Sequence, residues 1–207
     1  MDVSDPASAL LSPGSRAVMR TLAGTRQPLT GREVARLCGL SQNGAHKILV
    51  HLVEHGLVSA ETAGRAVLYV LNRRHLLAEP LLDVLAARER LVQRLARVMI
   101  DWAVPAIHAS LYGSAARADG DAHSDVDVLV VRSDDIDIDN AVWRRQLEQL
   151  AADLHTWTGN RLSWLELSEV EVAASASGRE PIVTEWRRDA VTLAGRELDD
   201  LLSGAPA

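Results

Sequence analysis

Cysteine occurs once in this chain of 207 residues, at Cys38, phenylalanine is absent, and Lys47 is the one lysine among 22 basic residues. A single thiol excludes an internal disulfide framework and a thiolate metal cluster, and Cys38 reads as a small buried helix residue. The missing phenylalanine and the scarce lysine read as a coding bias without functional content. Long apolar runs are lacking too: no stretch reaches the roughly 18 residues a membrane span needs. Met1-Asp2-Val3-Ser4-Asp5-Pro6 has no basic segment leading into an apolar one. Neither a membrane span nor a signal peptide is expected, and the location is expected to be cytoplasmic.

Hydrophobic residues still make up 47% of the chain, enough for packed cores. The charge is divided: residues 1–75 carry nine Lys or Arg against five Asp or Glu, a net +4, whereas residues 76–207 carry thirteen against twenty-three, a net -10. A basic front suits nucleic acid, and an acidic back suits metal-dependent chemistry. Two domains are expected, residues 1–75 and 105–207, joined by a connecting helix over 76–104.

In the front region, Ser15 to Ala23 reads as a first helix on the recurrence of Ala17, Val18 and Leu22. Thr30-Gly31-Arg32-Glu33 has the form of a capping box and opens a short helix to Cys38, which Gly39 ends. Ser41 caps a third helix whose Ala45, Ile48, Leu49, Leu52 and Val53 recur at helical spacing, closed by Gly56. Strands are expected from Leu57 to Glu61 and from Arg65 to Leu71, around Ala63-Gly64. Three helices and a hairpin make a winged helix-turn-helix. Opposite its apolar stripe the third helix leaves Gln42, Asn43, His46 and Lys47 to meet base edges or phosphates of duplex DNA, while Arg65 on the wing can reach a phosphate or the minor groove. Such readers commonly bind paired half-sites, which leaves room for a homodimer. His51-Leu52-Val53-Glu54-His55 has the spacing of an inverted zinc-peptidase motif. Leu52 and Val53 are core positions, however, and histidine suits the dipole at a helix C-terminus, so no zinc site is read there.

Pro80 sits near the start of a helix expected to run to about Val104 on Leu81, Leu85, Val92, Leu95, Met99 and Trp102, with Arg88 interrupting the seam. Beyond it come a strand over 107–112, a Gly-Ser turn, a short helix and a strand over 126–131. Asn140 to Thr158 reads as an amphipathic helix through Trp143, Leu147, Leu150, Leu154 and Trp157, stopped by Gly159, and Arg161 to Leu167 as a third strand. Ser168-Glu169-Val170-Glu171 is a second capping box, and Pro181 opens a last helix carrying Ile182, Val183, Trp186, Ala190 and Leu193. Asp134, Asp135, Asp137 and Asp139 read as a solvated loop that ends by capping a helix at Asp139 or Asn140. The fold class is α+β: a winged helix-turn-helix plus a small mixed-sheet domain.

The chemistry concentrates in Leu111-Tyr112-Gly113-Ser114-Ala115-Ala116-Arg117 and, after a polar loop, Ser124-Asp125-Val126-Asp127-Val128. Gly113 lets backbone approach an anion closely, Ser114 and free N–H groups can hold phosphate, and Arg117 can neutralise it. Positions two apart on a strand share a face, so Asp125 and Asp127 point one way while Val126, Val128 and Val130 enter a core. Their Cα atoms would lie about 6.5 Å apart. At that distance two bare carboxylates repel by roughly 2 to 3 kcal/mol at an effective dielectric near 20, and a divalent cation removes that cost.

Gly-Ser, ten residues, then Asp-x-Asp resembles the signature of the DNA polymerase beta-like nucleotidyltransferase superfamily, in its minimal branch. The resemblance covers roughly residues 105 to 195. It implies that Gly113, Ser114 and Arg117 bind a nucleoside triphosphate and that Asp125 and Asp127 hold Mg2+ or Mn2+. A third acidic residue on a neighbouring strand would complete the metal site and help deprotonate the acceptor hydroxyl, and Leu165-Glu166-Leu167 stands where the family carries an apolar-Asp-apolar triplet, which points to Glu166. Two departures are Ala118, where the family commonly has glycine, and Tyr112, where phenylalanine is frequent. The implied reaction moves a nucleoside monophosphate to an acceptor with pyrophosphate leaving. The acceptor would be a protein side chain, as in antitoxin-like relatives, or a small molecule. Two other classes fit the residues: a transcription regulator that senses nucleotide without turning it over, and an interaction protein that uses the winged helix for docking.

Overall fold

Caps written in the sequence set where the front helices begin and end. In the computed structural model of the chain, which describes residues 1–203, the Ser12 hydroxyl accepts from Ser15 N and opens α1 (Pro13–Ala23), with proline in its first turn. A 3-10 turn at Pro6–Ala9 precedes it. The two-residue β1 (Leu29–Thr30) runs directly into α2 (Gly31–Cys38), where Thr30 and Glu33 complete both bonds of the capping box. Gly39 ends that helix at φ 67°, a conformation that favours glycine. Ser41 then caps α3 (Gln42–Glu54) through Gly44 N. The hairpin of β2 (Val58–Ala63) and β3 (Ala66–Leu71) turns at Gly64-Arg65, and β1 adds to it in the antiparallel order β1-β3-β2. The helices bury Val18, Leu22, Val34 and Leu49 against Tyr69 of β3. Removing such a side chain, as in Leu49→Ala, costs about 2 to 5 kcal/mol.

The connecting segment expected as one helix is two, α4 (Ala78–Leu85) and α5 (Ala87–Ile100), with Ala86 as the break at φ -93°, ψ 12°. The reason lies in burial. Leu81, Leu82 and Leu85 pack on the front core, whereas Leu95 and Met99 belong to the back core, a division that helical spacing alone does not reveal. The chain accordingly forms two compact units, one of residues Pro6–Ala87 and one in which Met1–Asp5 joins the chain from Arg88 onward.

In the back unit, β4 (His108–Tyr112) leads through α6 (Gly113–Arg117) to β5 (Val126–Arg132), and α7 (Ala141–Thr158) crosses over to β6 (Leu162–Ser168). Asn140 is the residue that caps α7, its side chain accepting from Val142 N and Trp143 N. After α8 (Glu169–Ser177) and α9 (Pro181–Asp189), β7 (Val191–Gly195) pairs with β4, and α10 (Leu198–Leu202) follows. The last expected helix therefore stops before Ala190, whose ψ of 132° leaves helical space. Val191-Thr192 is β-branched, and its apolar positions fit a strand as well as a helix face. The sheet order is β6-β5-β4-β7, parallel between β5 and β6 and antiparallel elsewhere. One face packs Val126, Val128 and Val130 with Leu95, Trp143 and Leu147; the other packs Leu129 and Val131 with Val172, Val183 and Trp186. Helices thus cover both faces, and polar side chains remain functional candidates only where the strands end.

Candidate functional site

In the front unit, α2, the start of α3 and the wing enclose a groove of about 850 Å³. Gln42, Asn43 and His46 line one wall and Arg65 the other, so four of the five residues expected to meet DNA are brought together. Lys47 is exposed on α3 but does not line this groove. Arg32, exposed in the first turn of α2, does line it and was not anticipated. Its signal lay within the capping box, where the Thr30 and Glu33 bonds fix the backbone and leave the Arg32 side chain outward.

In the back unit, register brings Gly113 and Asp127 together. Tyr112 pairs with Asp127 across β4 and β5, and the turn into α6 holds Gly113 at φ 65°. The polar loop folds back over this turn: a Cβ on Gly120 would lie 3.0 Å from Ser114 Oγ and 3.2 Å from Ser124 Oγ. Ala118 ends α6 at φ 58°, left-handed backbone that glycine adopts without strain. Asp125 is exposed just before β5, and Asp127 is half-buried two residues on. Burial raises the Asp127 carboxyl above its ordinary range, a hydrogen bond from Ser163 opposes this, the Asp125 charge adds to it, and the Arg117 charge offsets it. Tyr112 is raised as well, by burial first and then by the charges of Asp127 and Glu185.

Arg117 is engaged. Its Nε donates to Asp119 at 2.9 Å and its Nη1 to Asp189 at 3.0 Å. Asp189, at the end of α9, also accepts two bonds of 2.7 Å from Arg188, and its carboxyl is held down to about 2 by Arg188 and then Arg117. Glu185, Arg188 and Asp189 thus join the site from α9, far along the chain, with no spacing pattern to mark them.

Glu166 does not join it, and this corrects the reading of the third carboxylate. In the parallel pairing Glu166 stands opposite Val130 and Ser163 opposite Asp127, so strand alternation places Glu166 on the other face of the sheet. There its side chain is 7% exposed, accepts from Trp143 Nε1 at 2.9 Å and pairs with Arg132 and Arg144, each at 3.4 Å. The position beside Asp127 on the neighbouring strand is held by Ser163, a neutral side chain. Among the described residues no three His, Cys, Asp or Glu side chains group as a metal site. Two carboxylates fit an Mg2+ or Mn2+ ion that takes its remaining oxygens from phosphates and water, and Asp125 and Asp127 would hold it. They do not form a three-carboxylate centre.

Residues 16–61 match the IclR helix-turn-helix domain. The front unit therefore carries an IclR-type DNA-binding helix-turn-helix, whose α2 and α3 line the groove described above together with wing residues beyond the match. No curated protein matches the chain. Among solved structures, "Crystal structure of the toxin-antitoxin with AMP-PNP" is 18% identical over 55% of this chain and 78% of that one, with a TM-score of 0.34. At that score the likeness assigns neither fold nor activity. Among the described residues no helix is long and apolar enough to cross a membrane.

Proposed function

We propose that this protein is a DNA-binding regulator whose back unit binds a nucleoside triphosphate with Mg2+ or Mn2+ and reports its presence without transferring the nucleotide. The observation that carries this reading is the register of β5 against β6, which sets Ser163 rather than a carboxylate beside Asp127. Gly113 gives the triphosphate close approach to backbone, Ser114 donates to it, Arg117 offsets its charge, and Asp125 and Asp127 face the cation. When bound, the cation neutralises carboxylates and phosphates that otherwise repel. With Glu166 committed to Arg132, Arg144 and Trp143, β6 presents Ser163 and no carboxylate beside Asp127 to accept the acceptor hydroxyl's proton.

The test is calorimetry of the full chain with each of ATP, GTP, CTP and UTP, with and without Mg2+, alongside an assay of pyrophosphate release. Metal-dependent binding without release is expected, and Asp125→Asn with Asp127→Asn should remove the gain from metal. Equal affinity with and without metal in the wild type sinks the metal role.

The transferase reading keeps one observation in its favour, the Asp125 charge acting on an Asp127 carboxylate that sits against Gly113. Steady pyrophosphate release with a co-purifying protein or small-molecule acceptor would establish it in place of the sensor. Absence of any triphosphate binding would leave the interaction-protein reading.

A further inference from the structure

The chain passes from the back unit into the front unit after Asp5 and returns after Ala87. The residue beside each crossing hydrogen-bonds the same short segment. Ser4 Oγ accepts from Gly120 N at 2.9 Å, and the Arg88 guanidinium donates to Ala115 O and Ala116 O, both at 2.8 Å. Both anchors are built in. Val3, next to Ser4, is 2% exposed in the back core. Arg88 occupies an apolar seam position, and its Nε is buried with no hydrogen-bond partner among the described residues. Desolvating a guanidinium for two carbonyls is unfavourable where a leucine would pack, so the contact with α6 is what distinguishes arginine there.

We infer that these two connections transmit nucleotide occupancy of the Gly113-to-Gly120 segment to the DNA-binding unit, so that triphosphate and DNA change each other's affinity. This rests on the triphosphate reading of the site. The contacts are contiguous. Phosphates that capture Arg117 take it from Asp119 and Asp189, and Asp119 adjoins Gly120, whose N–H is held by Ser4. On the other side of Arg117, the carbonyls of Ala115 and Ala116 are held by Arg88. A segment with two arrangements, one with Arg117 on carboxylates and one with it on phosphate, biases both crossings together, and linkage makes the effect reciprocal.

The experiment uses the full chain, a duplex it selects from a random library, and each nucleoside triphosphate with Mg2+. The expected result is a change of about fivefold or more in DNA affinity at saturating triphosphate, with the same factor in triphosphate affinity when DNA is saturating. Ser4→Ala removes the acceptor at Gly120, and Arg88→Leu fills the seam while releasing the α6 carbonyls. Each variant should still bind triphosphate, with the coupling factor reduced to below about twofold. If triphosphate binds the wild type and DNA affinity does not change, or if both variants keep the wild-type factor, the coupling is overturned while the site reading stands. A wild type that binds no triphosphate, or selects no duplex, overturns the coupling together with the reading beneath it.

Discussion

Gly113 and Asp127 share one small volume: a Cβ on Gly113 would lie 2.7 Å from Asp127 Oδ2, at a φ of 65° that side chains rarely adopt. Gly113→Ala should therefore displace the carboxylate and strain the turn at once, lowering stability by about 1 to 3 kcal/mol and weakening metal-dependent triphosphate binding. Denaturant melts paired with calorimetry check both effects.

Ala118 offers the opposite case. Ala118→Gly relieves left-handed strain at a position where nothing else changes, and a gain of about 0.5 to 1 kcal/mol is expected, read as a shift of the urea midpoint with unchanged slope.

Glu166→Ala leaves Arg132, 13% exposed, short of its buried partner and should cost about 3 kcal/mol of stability. Triphosphate affinity of the folded protein should be unaltered, because Glu166 lies across the sheet from Asp127. A selective loss of nucleotide binding with intact stability would return Glu166 to the site.

The Asp189 carboxyl sits at about 2 in the folded chain, below its ordinary value near 4, so its ion pairs stabilise the fold above pH 4 or so and that contribution fades as pH falls toward 2. Asp189→Asn should flatten the acid limb of stability in that window and, by releasing Arg117, tighten triphosphate binding at neutral pH. Acid titration of the melting temperature and calorimetry at pH 7 are the measurements.

For DNA, Arg65→Ala and Arg32→Ala should weaken binding across sequences and lower the salt slope by about one unit each if they meet phosphate, whereas Asn43→Ala should alter base preference. Binding isotherms at three salt concentrations separate the two signatures.

Most of the architecture was legible because its boundaries are local chemistry: Thr30 with Glu33, Ser41, Gly39, Asn140 and Ser168 each act on backbone within a few residues. The exposed face of α3 followed from its apolar stripe by exclusion. What escaped was set by partners distant in the chain. Leu165-Glu166-Leu167 looks alike in either sheet orientation, since a one-residue difference in register exchanges the faces, and only pairing with β5 decides that Ser163 meets Asp127. The break at Ala86 depends on two separate cores, and Asp189 reaches Arg117 across 72 residues of sequence.

Because Met1–Asp5 is part of the back unit, the front unit is topologically an insertion of roughly 80 residues, a loop whose closure entropy rises only slowly with its length. During synthesis residues 1–5 are made before the front unit, and the strands they pack on are made after it. The back unit is thus the later of the two to complete, because Val3 and Ser4, which precede the front unit, hold to residues that follow it. Cutting the chain between the halves at residue 75 would separate these residues from the core they close, so the isolated back half should melt earlier than the same unit in the whole protein.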